Sequence, residues 1–199
     1  MRRKAFIFLF ISCCFCSFSQ EWKLRKNKNG IKVFVRELDS TSIYEYKAVL
    51  IVNSTPEKAL KIITDGNNLW KWNHQTSESK TVKEYSDKEF VFWMKNDFSW
   101  PVKSRDNVVK VNVHFQEGDT IKIDLLPEQS NLVPENENCI RMTNFRGHWL
   151  IISKPENKIE VIQQLYGDPE GDLPTWILNA LLTNTPYNTF LNLKELLEN

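Results

Sequence analysis

Cysteine is scarce in this chain, and three of its four cysteines lie together near the N-terminus. Cys13, Cys14 and Cys16 fall in an apolar stretch that we expect to be removed, which leaves Cys139 alone in the mature chain. A single thiol cannot form an internal disulfide bond, so the fold must be stabilised by its core. With 199 residues, the chain is long enough for one domain with such a core and too short for two comfortable ones.

Sequence motifs that bind metals or nucleotides are also missing. His74, His114 and His148 are not spaced as metal ligands with one another or with a cysteine, and no HExxH motif occurs. No Gly-rich phosphate loop or nucleophile elbow is present, and lysines and arginines form no blocks that would attract nucleic acid. We therefore expect no metal, no cofactor, no nucleic-acid partner and no catalytic constellation.

Residues 1–19 have the pattern of a secretory signal peptide. A basic segment at 2–4 precedes an uncharged, mostly apolar stretch, and Ser17 and Ser19 give a small-x-small cleavage pattern before Gln20. The stretch is too short to span a bilayer. Cleavage would lower the net charge from +1 to about −2, because three basic residues leave with the peptide. We expect a mature domain over residues 20–199 that is secreted or periplasmic.

A lipoprotein signal is the alternative interpretation of this N-terminal segment. In that interpretation Ile11 and Ser12 precede a Cys13 that becomes lipidated. The apolar run before Cys13 would then be short, and Cys14 and Cys16 would have no role in the signal. The sequence leaves both interpretations open.

Most of the mature chain has the alternating pattern of antiparallel strands. Val109, Val111 and Val113 alternate with polar residues, which is the period-2 mark of a half-buried strand. Asn29-Gly30 and Gly118-Asp119 are typical of tight hairpin turns. The pattern predicts strands at 21–25, 31–37, 43–52, 81–85, 89–95, 107–117, 120–126, 139–152 and 158–166.

Two helices are expected. The first begins with Ser54 as its N-cap and Glu57 three residues on as in a capping box, and it ends near residue 65. The second is predicted over 173–197 with Asp172 as its N-cap, and Pro186 is expected to kink or break it near residues 184–185. The order of strands, helix, strands and long helix predicts an α+β fold in which an antiparallel sheet curls around the terminal helix.

Four segments in this order resemble the START domain family of lipid-transfer modules. They are 30–36, like the family's opening strand, Trp70-Lys71-Trp72 after the first helix, 100–106 with Trp-Pro-Val before Arg105-Asp106, and 168–179, like the start of the family's closing helix. Together they span nearly the whole mature chain. The resemblance implies a helix-grip fold with an internal apolar cavity for one lipid molecule and a lid made by the last helix and neighbouring loops.

The resemblance also singles out Arg105. Its position matches the family residue whose guanidinium lies in or near the cavity and can meet a polar head group. Sterol-binding members add an acidic partner on the preceding strand, whereas this chain has Met94 there and Asp97 as the nearest acid. That departure weakens the assignment of a sterol as ligand. From the residues alone, Arg105 could equally form an internal salt bridge, and we expect Asp106 to cap a turn or hold Arg105.

The other candidate residues for the cavity or its lid are aromatic, with one amide. Each could instead be ordinary core packing, because aromatic side chains fill cores as readily as pockets. Adjacent strand residues face opposite sides, so Phe92 and Trp93 cannot both line one pocket. With Arg105, the candidate set comprises Trp93, Trp100, Trp149, Trp176 and Asn179.

Three hypotheses for function follow. The first is a lipid-binding protein, a monomer with transient membrane contact, that opens by means of the loop 167–172, with Gly167 and Gly171 as its hinge. The second is a helix-grip enzyme of cyclase or hydrolase type, which would need acid and base groups that converge in the cavity. The third is a structural or partner-binding module whose interior is filled.

Overall fold

The computed structural model describes residues 21–38, 41–98, 102–171 and 173–199. The predicted signal peptide, Trp100 and Asp172 lie outside the described residues, and the predictions made for the signal peptide and for Trp100 stay predictions. Ten strands and two α-helices follow one another along the described part of the chain. They are β1 (Lys23–Lys28), β2 (Ile31–Leu38), β3 (Thr41–Asn53), α1 (Pro56–Thr64), β4 (Thr76–Glu84), β5 (Glu89–Asn96), β6 (Ser104–Gln116), β7 (Thr120–Pro127), β8 (Cys139–Arg141), β9 (Phe145–Lys154), β10 (Lys158–Gly167) and α2 (Thr175–Glu198).

The strands form one curved sheet. Nine of them pair antiparallel in the order β1-β2-β3-β10-β9-β7-β6-β5-β4, and the short β8 pairs in parallel with β6. The chain reverses direction at tight turns, and Asn29 and Gly30 at the first of them have φ angles of 57° and 79°. The exposed edge strand β1 is rich in lysine and arginine, which discourages pairing with another chain.

The helix α2 packs across the concave face of this sheet, against β2 and β3. Inward side chains such as Ile31, Val33 and Leu50 are fully buried beneath the helix residues Phe190 and Leu193. Trp149 lies at the centre, with its ring 5.5 Å from that of Phe190 and nearly parallel to it. The predicted fold class, an α+β helix-grip arrangement, is confirmed. Neither described helix combines the length and hydropathy that a membrane-spanning helix needs.

Three local predictions in the first part of the fold and in the sheet were wrong. The N-cap of α1 is Thr55, whose hydroxyl accepts from the Lys58 amide, and not Ser54, whose hydroxyl donates instead to the Leu197 carbonyl at the end of α2. Strand β4 begins at Thr76, earlier than residue 81. The predicted strand over 139–152 is divided into β8 and β9, because the Met142 amide bonds to the Asp106 carbonyl at the break.

The terminal helix also differs from its prediction. It begins at Thr175, two residues later than expected, and its N-cap residue is Pro174, so the N-cap predicted at position 172 was wrong. It continues through Pro186 without the predicted break. Proline costs the helix one backbone hydrogen bond, and here the surrounding packing maintains the helix, since Pro186 and the following Tyr187 are both buried.

Candidate functional site

A cavity of about 1010 Å³ lies between the concave face of the sheet and the first half of α2. This volume is at the upper end of the range for small-molecule pockets. Its walls come from eight strands, all of them except β4 and β8, and from α2, and most are apolar. The apolar lining residues are Val35, Ile63, Leu69, Trp72, Phe92, Met94, Phe98, Val109, Val111, Ile123, Leu125, Met142, Phe145, Trp149, Leu165, Leu173, Leu178, Leu181 and Leu182. A filled interior, the third hypothesis, does not describe this molecule.

Arg105 is the buried cation of the cavity. Its side chain starts from β6, only 3% of the residue is exposed, and it lines the cavity. Its three nitrogens donate to backbone carbonyls: Nη1 to Lys103 at 2.6 Å, Nε to Pro169 at 3.1 Å and Nη2 to Glu170 at 3.1 Å. Among the described residues no carboxylate bonds to it. Burial lowers the pKa of this guanidinium below its ordinary value, in keeping with a charge that lacks a counter-charge.

Arg105 therefore fastens the loop that precedes α2. Pro169 and Glu170 belong to that loop, and Glu170 is in the left-handed region with a φ of 53°. Its amide donates to Asp168 Oδ1 at 2.9 Å, which stabilises the turn. Gly171 follows with a φ of 73°, whereas Gly167 is still paired in β10 with Phe145. The hinge role of the two glycines stays a prediction.

Asp106 does not hold Arg105, so that expectation was wrong. As the next residue on β6, it points to the outer face of the sheet, where it forms a bidentate ion pair with Arg141. Both of its contacts to that guanidinium are 2.8 Å long. The Trp93 indole donates to the same carboxylate at 2.7 Å, which places Trp93 on the outer face, away from the cavity. The cross-strand partner of Arg105 is Asn96, a neutral residue.

Of the remaining predicted site residues, some line the cavity and one does not. Trp149 and Asn179 both line the cavity, together with Arg105. Trp176 begins the first turn of α2 and is 66% exposed, so the structure does not bring it to the cavity wall. Whether any of these residues contacts a ligand stays a prediction.

Two buried amides were missed by the sequence analysis. Asn107 on β6 and Gln163 on β10 are each 8% exposed and line the cavity. Both occupy inward positions in otherwise apolar alternations, Asn107 before Val109 and Gln163 after Val161. A polar residue at the buried phase of a strand is a signal that the sequence contains, because burying an amide is unfavourable unless it is hydrogen-bonded.

A chain of neutral hydrogen bonds runs from Asn107 towards α2. Asn96 Nδ2 donates to Asn107 Oδ1 at 3.4 Å, and Thr76 donates to Asn96 Oδ1 at 2.8 Å. The Asn73 amide reaches Thr76 at 3.0 Å, and Thr189 of α2 donates to Asn73 at 3.1 Å. The wall beside Arg105 can therefore offer a ligand amide and hydroxyl groups, and Asp168, in the loop before α2, adds a carboxylate to the lining of the same cavity.

His74 lies at the same wall of the cavity. Burial lowers its pKa below the ordinary value of 6.5, and its Nε2 lies 3.3 Å from the Asn188 amide nitrogen of α2. The amide can donate to Nε2 when the ring carries its proton on Nδ1. In the part of the chain that the structure describes, His, Cys, Asp and Glu side chains form no group of three or more that could bind a metal ion.

Known proteins are similar in sequence to this chain over most of its length. The family model of the START domain matches residues 15–199. An uncharacterised protein of Pseudomonas aeruginosa is 27% identical over 180 residues, which is 90% of this chain and 88% of the relative. Phosphatidylcholine transfer protein of Rattus norvegicus is 26% identical over 169 residues, which is 82% of this chain and 78% of the relative.

Solved structures are similar over the same extent. The STAR-related lipid transfer protein of Xanthomonas axonopodis has a TM-score of 0.81 at 24% identity and covers 88% of this chain and 98% of its own. Human StAR-related lipid transfer protein 5 has a TM-score of 0.80 at 20% identity, with 88% and 86% covered. At these identities the structural likeness supports the fold.

Proposed function

Because this chain belongs to the START domain family, we propose that it binds one lipid molecule in the cavity beneath α2. One observation carries the proposal: a cavity of about 1010 Å³ with mostly apolar walls contains a buried guanidinium that is bonded only to neutral carbonyls among the described residues. The apolar walls suit acyl chains or rings, and the guanidinium suits a polar end. Relatives named for lipid transfer support the same interpretation.

Most of the affinity would come from apolar burial. Each Å² of apolar surface removed from water contributes roughly 25 cal/mol, and a lipid that filled this cavity would cover the aromatic and aliphatic walls. Trp149 and Phe92 offer large apolar faces on the sheet side, and Leu181 and Leu182 close the helix side. Such walls select for shape and length more than for one head group.

The polar end of the ligand would be anionic or zwitterionic. A guanidinium has five N–H groups, and Arg105 uses three of them for the carbonyls of Lys103, Pro169 and Glu170. Two stay available to a phosphate or carboxylate oxygen, which would provide the missing counter-charge. Asn107, with its amide at the same wall, could donate to the same group.

Ligand entry would require the loop 168–171 to move. The Arg105 bonds to Pro169 and Glu170 close this loop over the cavity, so an anionic group that competes for the guanidinium would also loosen the loop. Release at a membrane would complete a cycle of transfer or sensing. Trp176 is exposed on the first turn of α2 and would make transient contact with that membrane. In this proposal the protein acts as a monomer.

Native mass spectrometry of the protein purified from its own host, followed by organic extraction, tests the proposal. We expect a one-to-one adduct that dissociates on extraction and has the mass of a lipid. A bare polypeptide mass that stays bare after incubation with mixed phospholipids and fatty acids would contradict lipid binding. The same sample addresses the alternative of a helix-grip enzyme, because a ligand recovered unchanged after long incubation argues against turnover.

We also propose that the protein acts outside the cytoplasm, in the periplasm or the medium. The support is the sequence pattern of residues 1–19. Cell fractionation with N-terminal sequencing should find a mature chain that begins at Gln20. A mature chain that begins at a lipid-modified Cys13 would instead support the lipoprotein alternative, and an uncleaved cytoplasmic chain would contradict both.

A further inference from the structure

Two adjacent glutamines on β10 have opposite environments. Gln164 points to the outer face, where its amide donates to Glu45 at 2.8 Å. Gln163 points inward, is 8% exposed and lines the cavity between inward neighbours Val161 and Leu165. The cavity therefore contains a buried amide on the sheet side, on a different strand from Arg105.

One end of the Gln163 side chain is fixed by the protein. The Tyr46 hydroxyl donates to Gln163 Oε1 at 2.8 Å. Burial raises the pKa of Tyr46 above its ordinary value of 10, which favours the protonated hydroxyl that donates this bond. With Oε1 bonded to Tyr46, the amide nitrogen is the end left for another partner.

The Gln163 amide nitrogen donates to no residue in the described part of the chain. Every side-chain nitrogen or oxygen there that is fully shielded from solvent has a hydrogen-bond partner, so Nε2 must reach open space. The cavity that Gln163 lines provides that space. The cross-strand neighbours of Gln163 are Ala48 and Trp149, which carry no acceptor on their side chains.

We propose that Gln163, positioned by Tyr46, is a second polar subsite that binds a hydroxyl or carbonyl oxygen within the apolar part of the ligand. This inference rests on the proposed function and refines its ligand class. An amide donor with an open side in an apolar wall favours a ligand oxygen over a hydrocarbon, because an unpaired buried N–H is costly.

The separation of Gln163 from Arg105 further restricts the class of ligand that could occupy both subsites. Gln163 precedes Gly167 by four residues on β10, which corresponds to roughly 13 Å of extended strand. The loop that Arg105 bonds begins directly after Gly167. A ligand with its anionic group near Arg105 would therefore reach Gln163 with the middle of its chain. The inferred ligand is an acidic lipid with a hydroxyl or keto group at mid-chain.

Stearate and 12-hydroxystearate form the matched probe pair, and isothermal titration calorimetry measures their affinities. We expect the wild-type protein to bind the hydroxylated acid about 3- to 10-fold more tightly, which corresponds to one hydrogen bond. Gln163→Leu should abolish this preference by weakening only the hydroxylated acid. Gln164→Leu makes the same chemical change on the outer face and should keep the preference, and Tyr46→Phe should reduce it.

The possible outcomes distinguish a failure of the Gln163 subsite from a failure of lipid binding itself. Equal affinity of the wild-type protein for both acids, or a preference that survives Gln163→Leu, would overturn the subsite while leaving lipid binding intact. A preference lost equally in Gln164→Leu would also overturn it, because that residue does not face the cavity. Failure to bind either acid or any phospholipid would overturn the proposed function and the subsite with it.

Discussion

The two halves of helix α2 have the same backbone and different surroundings. In the core half, residues 187–198, the side chains of Phe190, Leu193 and Leu197 are at most 2% exposed. In the cavity half, residues 175–185, Leu178, Leu181 and Leu182 line an open space, and Trp176 is 66% exposed. One helix therefore contributes to the core at one end and covers the cavity at the other.

Hydrogen bonds follow the same division. The core half is bonded to the rest of the fold along its length: Tyr187 accepts from Asn29 at 2.9 Å, Asn192 donates to the Trp72 carbonyl at 2.9 Å, and the Leu197 carbonyl accepts from Lys58 at 3.0 Å. In the cavity half, among the described side chains, such bonds occur only at its end, at Asn184 and Thr185. The cavity half is therefore joined to the rest of the fold by fewer side-chain hydrogen bonds than the core half.

The largest expected effect separates the two halves by stability. Leu193→Ala should lower the free energy of unfolding by about 2–5 kcal/mol, because a fully buried side chain is lost from the core. Leu181→Ala, the matched change in the cavity half, should cost only roughly 1 kcal/mol, since that side chain already borders open space. Urea denaturation measures both, and equal losses would erase the distinction between the halves.

Arg105→Ala should affect the cavity half through its loop. It leaves the carbonyls of Pro169 and Glu170 without a donor and removes about 1–3 kcal/mol of stability. Affinity should fall more for a lipid with a charged head than for a neutral one, measured by displacement of a fluorescent fatty acid. Equal loss for both lipids, or no loss for either, would contradict the head-group role.

A conservative replacement provides the control for that variant. Arg105→Lys keeps the charge but has one nitrogen, so it cannot bond three carbonyls in the same fork geometry. We expect it to retain part of the preference for charged lipids and to speed amide hydrogen exchange in the loop 168–171. Exchange in that loop at the wild-type rate would mean that Arg105 does not restrain it.

Pro186 lies at the boundary between the two halves of α2, and its replacement should couple the movement of the cavity half more tightly to the core half. Pro186→Ala restores a backbone N–H that can bond to the Leu182 carbonyl one turn earlier. We expect a gain of about 1 kcal/mol or less and a several-fold slower exchange of bound lipid, followed by stopped-flow fluorescence. Unchanged exchange would show that the cavity half moves independently of helix continuity.

The smallest expected effect is a pH dependence at His74. Since burial lowers its pKa below 6.5, the unfolded chain binds a proton more readily than the folded one. Stability from this group is therefore complete above about pH 6.5 and declines as the pH falls through the lowered pKa of the folded state. Thermal unfolding between pH 7.5 and roughly pH 5 measures it. His74→Gln should flatten the curve, apart from the contribution of His148, whose pKa burial also lowers.

Local patterns predicted most of this fold. The alternation at Val109, Val111 and Val113 and the Asn29-Gly30 turn depend on neighbours in sequence, so strands and turns could be read from them. The break between β8 and β9 could not, because it depends on the Asp106 carbonyl more than thirty residues away. Helix α2 persists through Pro186 for the same kind of reason, since tertiary packing overrides local propensity.

The candidate site was harder to predict than the fold. Strand parity correctly implied that Phe92 and Trp93 face opposite sides, but it did not say which side is inner, and Trp93 proved to be on the outer face. The carbonyl partners of Arg105 lie on a loop that no spacing rule connects to β6. Gln163 was detectable as a polar residue in an apolar alternation, although its role depends on Tyr46 from another strand.

Trp149 belongs to both regions, since it lines the cavity and stacks on Phe190 of the core half. Trp72 meets it edge-on, with ring centroids 6.2 Å apart. This indole is consequently placed to report on the interior, because its emission wavelength depends on whether its open side faces water or hydrocarbon. It is one of seven tryptophans in the chain, so occupancy of the interior can be followed by its emission in a purified variant whose other tryptophans are replaced by phenylalanine.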